Sequence, residues 1–146
     1  MHPTLFLLLS SMVFTTSLRA QTIYTAEPNA PHQVLLIVDT EYGDILELSA
    51  EVARYQATHY LDAPLTTKAI RLIREPEQFA VQLTGFANEA EALRYTALVA
   101  QRRPDFVREG MLEAYFPISV ANFAELYRAQ STKAYAAFAR ARYGAD

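Results

Sequence analysis

Five consecutive apolar residues, Val34-Leu35-Leu36-Ile37-Val38, constrain this chain more than any other stretch. Three of the five are β-branched, which favours a strand. In a strand, successive side chains point to opposite faces. A strand wetted on one face alternates apolar with polar residues, and this one does not. Both of its faces must be covered, so it belongs in the centre of a sheet with material on each side.

The rest of the pattern can be laid around that strand. Tyr42-Gly43 makes a turn, and Asp44 can cap a helix, with Glu47 three residues on as in a capping box. Ile45, Leu48, Val52, Tyr55 and His59 follow at spacings of three and four, which predicts an amphipathic helix of about four turns. Residues 68–74 predict a second strand, with Ile70 and Leu72 on one face and Arg71 between them. Glu75-Pro76-Glu77-Gln78 has the length and polarity of a hairpin turn. Phe79, Val81 and Leu83 then alternate with Ala80, Gln82 and Thr84 in a third strand. Asn88, with Glu91 behind it, caps a second helix whose stripe is Ala90, Leu93, Ala97 and Ala100. Arg102-Arg103-Pro104 ends that helix, and residues 105–113 are irregular. Residues 114–120 predict a fourth strand. Its internal Pro117 lacks a ladder donor, so the strand must lie at an edge. A short helix over 122–128 and a final helix over 132–143, capped by Ser131, complete the chain.

The order is β-α-β-β-α-β, followed by helices. It predicts an α+β fold: a ferredoxin-like, four-stranded antiparallel sheet with the first and third strands central, and a C-terminal helical extension. The domain spans 33–121, and the aromatic-rich segment 122–146 packs on it. Two helices cover one face of such a sheet. Leu35 and Ile37 point the other way, so the segment 122–146 should fold back over them, with Phe123, Tyr127 and Phe138 at least partly buried. The expected core is Val34, Leu36, Val38, Leu48, Val52, Val81, Leu83, Leu93 and Ala97.

The apolar run at residues 5–9, extended by Met12, Val13 and Phe14 and followed by Leu18-Arg19-Ala20, has the length of a secretory signal peptide over 1–20. A buried or membrane-anchoring helix is the alternative, but the run is short and rich in Ser and Thr for a span. Residues 21–32, with Pro28 and Pro31, read as a linker. No second run is long enough to cross a bilayer.

Composition closes off much chemistry. With no cysteine there is no disulfide framework, thiolate zinc site, iron–sulfur cluster or Cys nucleophile. A net charge of −3 argues against nucleic acid. His32 falls in the linker and His59 on an apolar stripe. Ser119 and Ser131 stand where helices begin and no serine has a glycine-flanked elbow. Asp39 and Asp44, flanking Glu41, are better explained as a turn former and a cap than as calcium ligands. No glycine-rich loop cradles phosphate. The sequence therefore predicts no catalytic residue, no cofactor and no metal. Charge is uneven: residues 21–64 hold seven acids and Arg54 as the one base, whereas residues 65–146 hold eleven bases and nine acids.

Two stretches resemble known families. Phe79-Ala80-Val81-Gln82-Leu83-Thr84-Gly85-Phe86, then Asn88-Glu89-Ala90-Glu91-Ala92, resembles the peptidoglycan-binding SPOR domain, in which a Val-Gln-Val strand leads to Gly-Pro-Phe and a helix with an alanine six residues after the phenylalanine. Phe86 and Ala92 keep that spacing, although Thr84-Gly85-Phe86 replaces Gly-Pro-Phe. Residues 34–143 are also similar to the C-terminal domain of the PorW/SprE lipoproteins of type IX secretion and gliding motility. Phe116-Pro117-Ile118-Ser119-Val120-Ala121-Asn122-Phe123 is the nearest part, with Tyr127, Tyr135, Phe138 and Tyr143 downstream. Those proteins add helical repeats and a lipobox cysteine, and this sequence shows neither.

The resemblances imply a SPOR-like, non-enzymatic, periplasmic module that binds an envelope protein, with any association with the outer membrane running through that partner. The alternative is a peptidoglycan glycan as the ligand. A small hydrolase is a third reading, and it would need a polar cleft with convergent ionisable groups. Arg71, Gln82 and Arg128 are the candidate partner-binding rim. If the first segment is a signal, N-terminal sequencing of the protein from its own cell starts at Gln21. A start at Met1 in a cytosolic fraction would contradict export.

Overall fold

The computed structural model describes residues 23–62, 64–101, 104, 106 and 110–144. The segment 1–20 read as a signal peptide, the Arg102-Arg103 pair expected to end the second helix and most of the stretch 105–109 lie outside the described residues. The elements are β1 (His32–Val38), α1 (Ile45–His59), β2 (Thr66–Arg74), β3 (Glu77–Phe86), α2 (Glu89–Ala100), β4 (Leu112–Ser119), α3 (Val120–Ala129) and α4 (Lys133–Tyr143). The sheet order is β2-β3-β1-β4, and all its pairings are antiparallel. The fold is α+β, in the ferredoxin-like βαββαβ arrangement with C-terminal helices. β1 and β3 are central, and Pro117 sits in the edge strand β4 opposite Val34.

Every residue of β1 is buried. Val34, Leu36 and Val38 join Leu48, Val52, Val81, Leu83, Phe86, Ala92, Tyr95 and Val99 in the layer beneath α1 and α2. Leu35 and Ile37 point the other way and pack with Leu72, Ile73, Ala80, Ile118, Leu126, Tyr135 and Ala139. The C-terminal helices therefore cover the second face in cis. Phe123 and Phe138 are partly buried there, whereas Tyr127 is 42% exposed, contrary to expectation. Tyr135 shows why α4 stays down: its hydroxyl donates to the Pro117 carbonyl at 2.6 Å. Its ring meets Phe116 edge-on at 5.7 Å.

Local signals behave as their chemistry requires. Asp44 Oδ1 accepts from the amides of Leu46 and Glu47 at 2.9 Å, and Asn88 Oδ1 accepts from that of Glu91 at 3.0 Å. Ser119 Oγ accepts from the Asn122 amide at 3.1 Å and so begins α3 where β4 ends.

Two expectations need correction. On α2 the buried residues are Ala92, Tyr95, Thr96 and Val99, with Glu89 at the start. Leu93 is half-buried and Ala97 exposed. The helix carries apolar side chains on more than one face, and the aromatic one decides which face turns inward. Tyr95 packs against Phe86 at 5.6 Å and Tyr60 at 5.9 Å, and its hydroxyl takes a hydrogen bond from Gln56. The stretch 21–32 is also more than a linker where it is described. His32 belongs to β1. Tyr24 is buried edge-on against Tyr135 at 5.1 Å. Thr25 exchanges two hydrogen bonds with the Asn122 side chain, and Ser119 Oγ donates to Glu27 at 2.7 Å. Irregular backbone has no ladder of its own, so side chains hold it against β4 and α3, together with backbone bonds from Val120 to Pro31 and from Glu89 to Pro28.

Leu126 belongs to the second core and Leu93 to neither. Leu126→Ala should cost about 2–5 kcal/mol in denaturant unfolding. Leu93→Ala should cost clearly less, and the reverse ranking would misplace the C-terminal helices.

Candidate functional site

The sheet brings unlike residues into one row on its second face. Lys68, Gln82, Leu35 and Phe116 are cross-strand neighbours from β2 through β3 and β1 to β4. Toward β4 the row is apolar and carries α4. Toward β2 it becomes an amide and then an ammonium, where α3 overhangs it without sealing it. A cleft of about 420 Å³ remains, lined by Lys68, Ile70, Arg71, Arg74, Gln82, Phe123 and Tyr127. A neighbouring hollow shares Arg74, Phe123 and Tyr127 and adds Val120, Ala124, Arg128 and Gln130. Two of the three rim residues expected from sequence, Arg71 and Gln82, thus line one cleft, while Arg128 lines the hollow beside it. Lys68 and Arg74, which complete the surface, were not assigned to the rim from sequence, and Phe123 and Tyr127 were expected as cover for the second face rather than as part of the rim. Their signal was the positive second half of the chain together with the ring-rich segment after residue 120.

Gln130 holds this arrangement. It sits between α3 and α4 in the left-handed region, at φ 53°. Its Oε1 accepts from the Arg74 amide at 3.0 Å, while its Nε2 donates to the Tyr127 carbonyl at 2.7 Å. The carboxamide bonds the edge strand as a neighbouring peptide would, which fixes α3 beside β2 and occupies part of an open edge. Gln82 donates to Gln33 within the sheet face. Arg71 pairs with Glu77 at 3.3 Å, with both side chains about half exposed, and Arg128 pairs with Glu125 on α3. Exposed pairs of this kind are weak and exchange partners readily. Lys68 and Arg74 make no ion pair among the described residues. The cleft therefore offers free cations, an amide and two rings, which can hold an anionic or polar group beside an apolar one.

A second polar cluster is engaged in structure. Glu89, at the first turn of α2, receives Arg142 in a fork, Nε at 2.8 Å and Nη2 at 2.9 Å. The Tyr143 hydroxyl donates to it at 3.0 Å, and His32 Nε2 lies 3.8 Å away. These partners tie α4 to α2 and β1. The hydrogen bond from Arg142 holds the Glu89 carboxyl below its ordinary value of 4.5, against the opposing effect of burial. Burial and the bond to Glu89 push the Tyr143 hydroxyl up to about 12.

Asp39 and Asp44 act as expected. Asp39 Oδ1 accepts from the Glu41 amide at 3.0 Å, and Asp44 is the cap of α1. No group of three or more metal-ligating side chains converges among the described residues. No described helix is long and apolar enough to cross a membrane. His59 is exposed and stacks on Tyr55 at 4.1 Å rather than packing into the core. Comparison with protein-family models, curated proteins and solved structures finds no match to this chain.

Because the folded Glu89 has a lowered pKa, its contribution to stability is present above pH 4.5 or so and is lost as pH falls through the folded-state value. Glu89→Gln should lower stability at neutral pH by about 1–3 kcal/mol and flatten the acid limb of a melting-temperature profile. An unchanged acid limb would show that the cluster contributes nothing.

Proposed function

We propose that the protein is an exported, non-enzymatic binding module of the bacterial envelope, and that the cleft between β2 and α3 is where it holds its partner. The observation that carries this is the gathering of Lys68, Arg71, Arg74 and Gln82 around Phe123 and Tyr127. Rings flanked by cations are the composition of anchoring positions in interfaces. The preferred partner is an envelope protein that presents carboxylates next to an apolar or aromatic side chain. That choice agrees with the resemblance of residues 34–143 to the gliding and type IX secretion proteins. The leader-like segment 1–20 supports the periplasm as the place of action.

A peptidoglycan glycan is the second reading. The amide of Gln82 in the same cleft as Phe123 and Tyr127 favours it, because amides bond sugar hydroxyls and rings stack on sugar faces. The SPOR resemblance over residues 79–92 points the same way.

Crosslinking of the native envelope, followed by mass spectrometry, should recover peptides joined to Lys68 on β2. Tyr127→Ala with Arg74→Glu should abolish that product while leaving the melting temperature within a degree or two, since both side chains are exposed. Retention on purified sacculi that soluble glycan competes away would decide for the second reading. Crosslinks confined to α1 or its acidic approach would remove the cleft from the account.

A further inference from the structure

The opposite face of the sheet carries a separate feature that the binding cleft does not use. A cavity of about 350 Å³ lies between the C-terminal half of α1 and the start of β2. Its walls include Ala53, Ala57, Leu61 and Leu65, with Gln56 and Thr67 also in the lining. Gln56 is only 4% exposed. Its Nε2 donates to the Tyr95 hydroxyl at 2.6 Å, but its Oε1 is buried with no hydrogen-bond partner among the described residues. Thr67 Oγ1 is likewise buried and unpartnered. A buried polar atom left unpaired is costly, and here two such atoms belong to residues of different elements that line one hollow. At its rim Leu61 is 77% exposed.

We infer that this α1–β2 cavity is a binding site for an uncharged, compact apolar molecule bearing a hydroxyl group, which bonds Gln56 and Thr67. The hydroxyl is the group that matches. Its one proton goes to Gln56 Oε1, and its oxygen accepts from the Thr67 hydroxyl. If the carboxamide is turned round, the hydroxyl accepts instead, so it suits either orientation. A charged headgroup does not suit the site. Among the described residues the lining holds no carboxylate, ammonium or guanidinium to pair with a charge, and an unpaired charge against apolar walls is disfavoured. The volume falls at the small end of ligand pockets. The site does not depend on the β2–α3 cleft, so either can fail without the other.

Four probes with a similar six-membered body and different headgroups test this on the purified chain: cyclohexanol, cyclohexylammonium, cyclohexanecarboxylate and methylcyclohexane. In amide-detected NMR titrations, cyclohexanol should saturably shift the Gln56 side-chain amide and the Thr67 backbone amide, with the other three weaker. Thr67→Val removes the hydroxyl but suits a strand, and it should weaken cyclohexanol binding about fivefold, the loss of one hydrogen bond. Thr67→Ser should restore binding. Equal binding of methylcyclohexane, tighter binding of either ion, no shift at Gln56, or an unaltered affinity in Thr67→Val would each overturn the assignment.

Discussion

The burial of both faces of β1 is the constraint on which the rest of the structure depends. Leu35 and Ile37 are as completely enclosed as Val34, Leu36 and Val38. The two helices of a split β-α-β unit cover one face, and a second layer must come from elsewhere. Here it comes from the chain's own C-terminal segment. Leu126, Tyr135 and Ala139 supply the apolar cover, and the bond from Tyr135 to Pro117 holds it. The Glu89–Arg142 fork ties the far end of α4 back to α2.

The cleft follows from the incompleteness of that second layer. α3 and α4 reach across β4 and β1 but only overhang β2. The outer residues on that side are polar or cationic for the same reason that those nearer β4 are apolar: each matches how much water its row meets. The cross-strand row from Phe116 through Leu35 and Gln82 to Lys68 records this gradient in four residues. Gln130 sets where the overhang ends, because its carboxamide can bond the edge strand only if α3 stops beside Arg74. The same geometry that protects the hydrophobic face leaves Phe123 and Tyr127 beside free cations.

Much of the fold was legible because its signals are local. The unbroken run in β1, the caps Asp44 and Asn88, the hairpin around Pro76 and the edge-marking Pro117 each act within a few residues. The rotation of α2 was not legible from its aliphatic residues, since Ala90, Leu93, Ala97 and Ala100 make as regular a stripe as the one actually buried. The deciding contacts, Tyr95 with Phe86 and Gln56, join residues far apart in sequence. The docking of residues 23–31 was hidden for a similar reason: its bonds to Ser119 and Asn122 span more than ninety positions. Of the cleft and the hollow beside it, Arg71, Gln82 and Arg128 were readable as polar positions near strand and helix surfaces. That Lys68 and Arg74 meet Phe123 and Tyr127 depends on the α3 overhang, which no local pattern encodes.

Native-state hydrogen exchange tests the central claim most directly. If α3 and α4 are the second layer of the core, the buried amides of β1 and those in the middle of α4 should exchange through the same opening. Their free energies should then be equal, and they should fall together as denaturant is added. Amides of α4 that exchange through a separate, low-energy opening while β1 stays fully protected would contradict the account. They would make the C-terminal helices an accessory to a sheet that is stable without them.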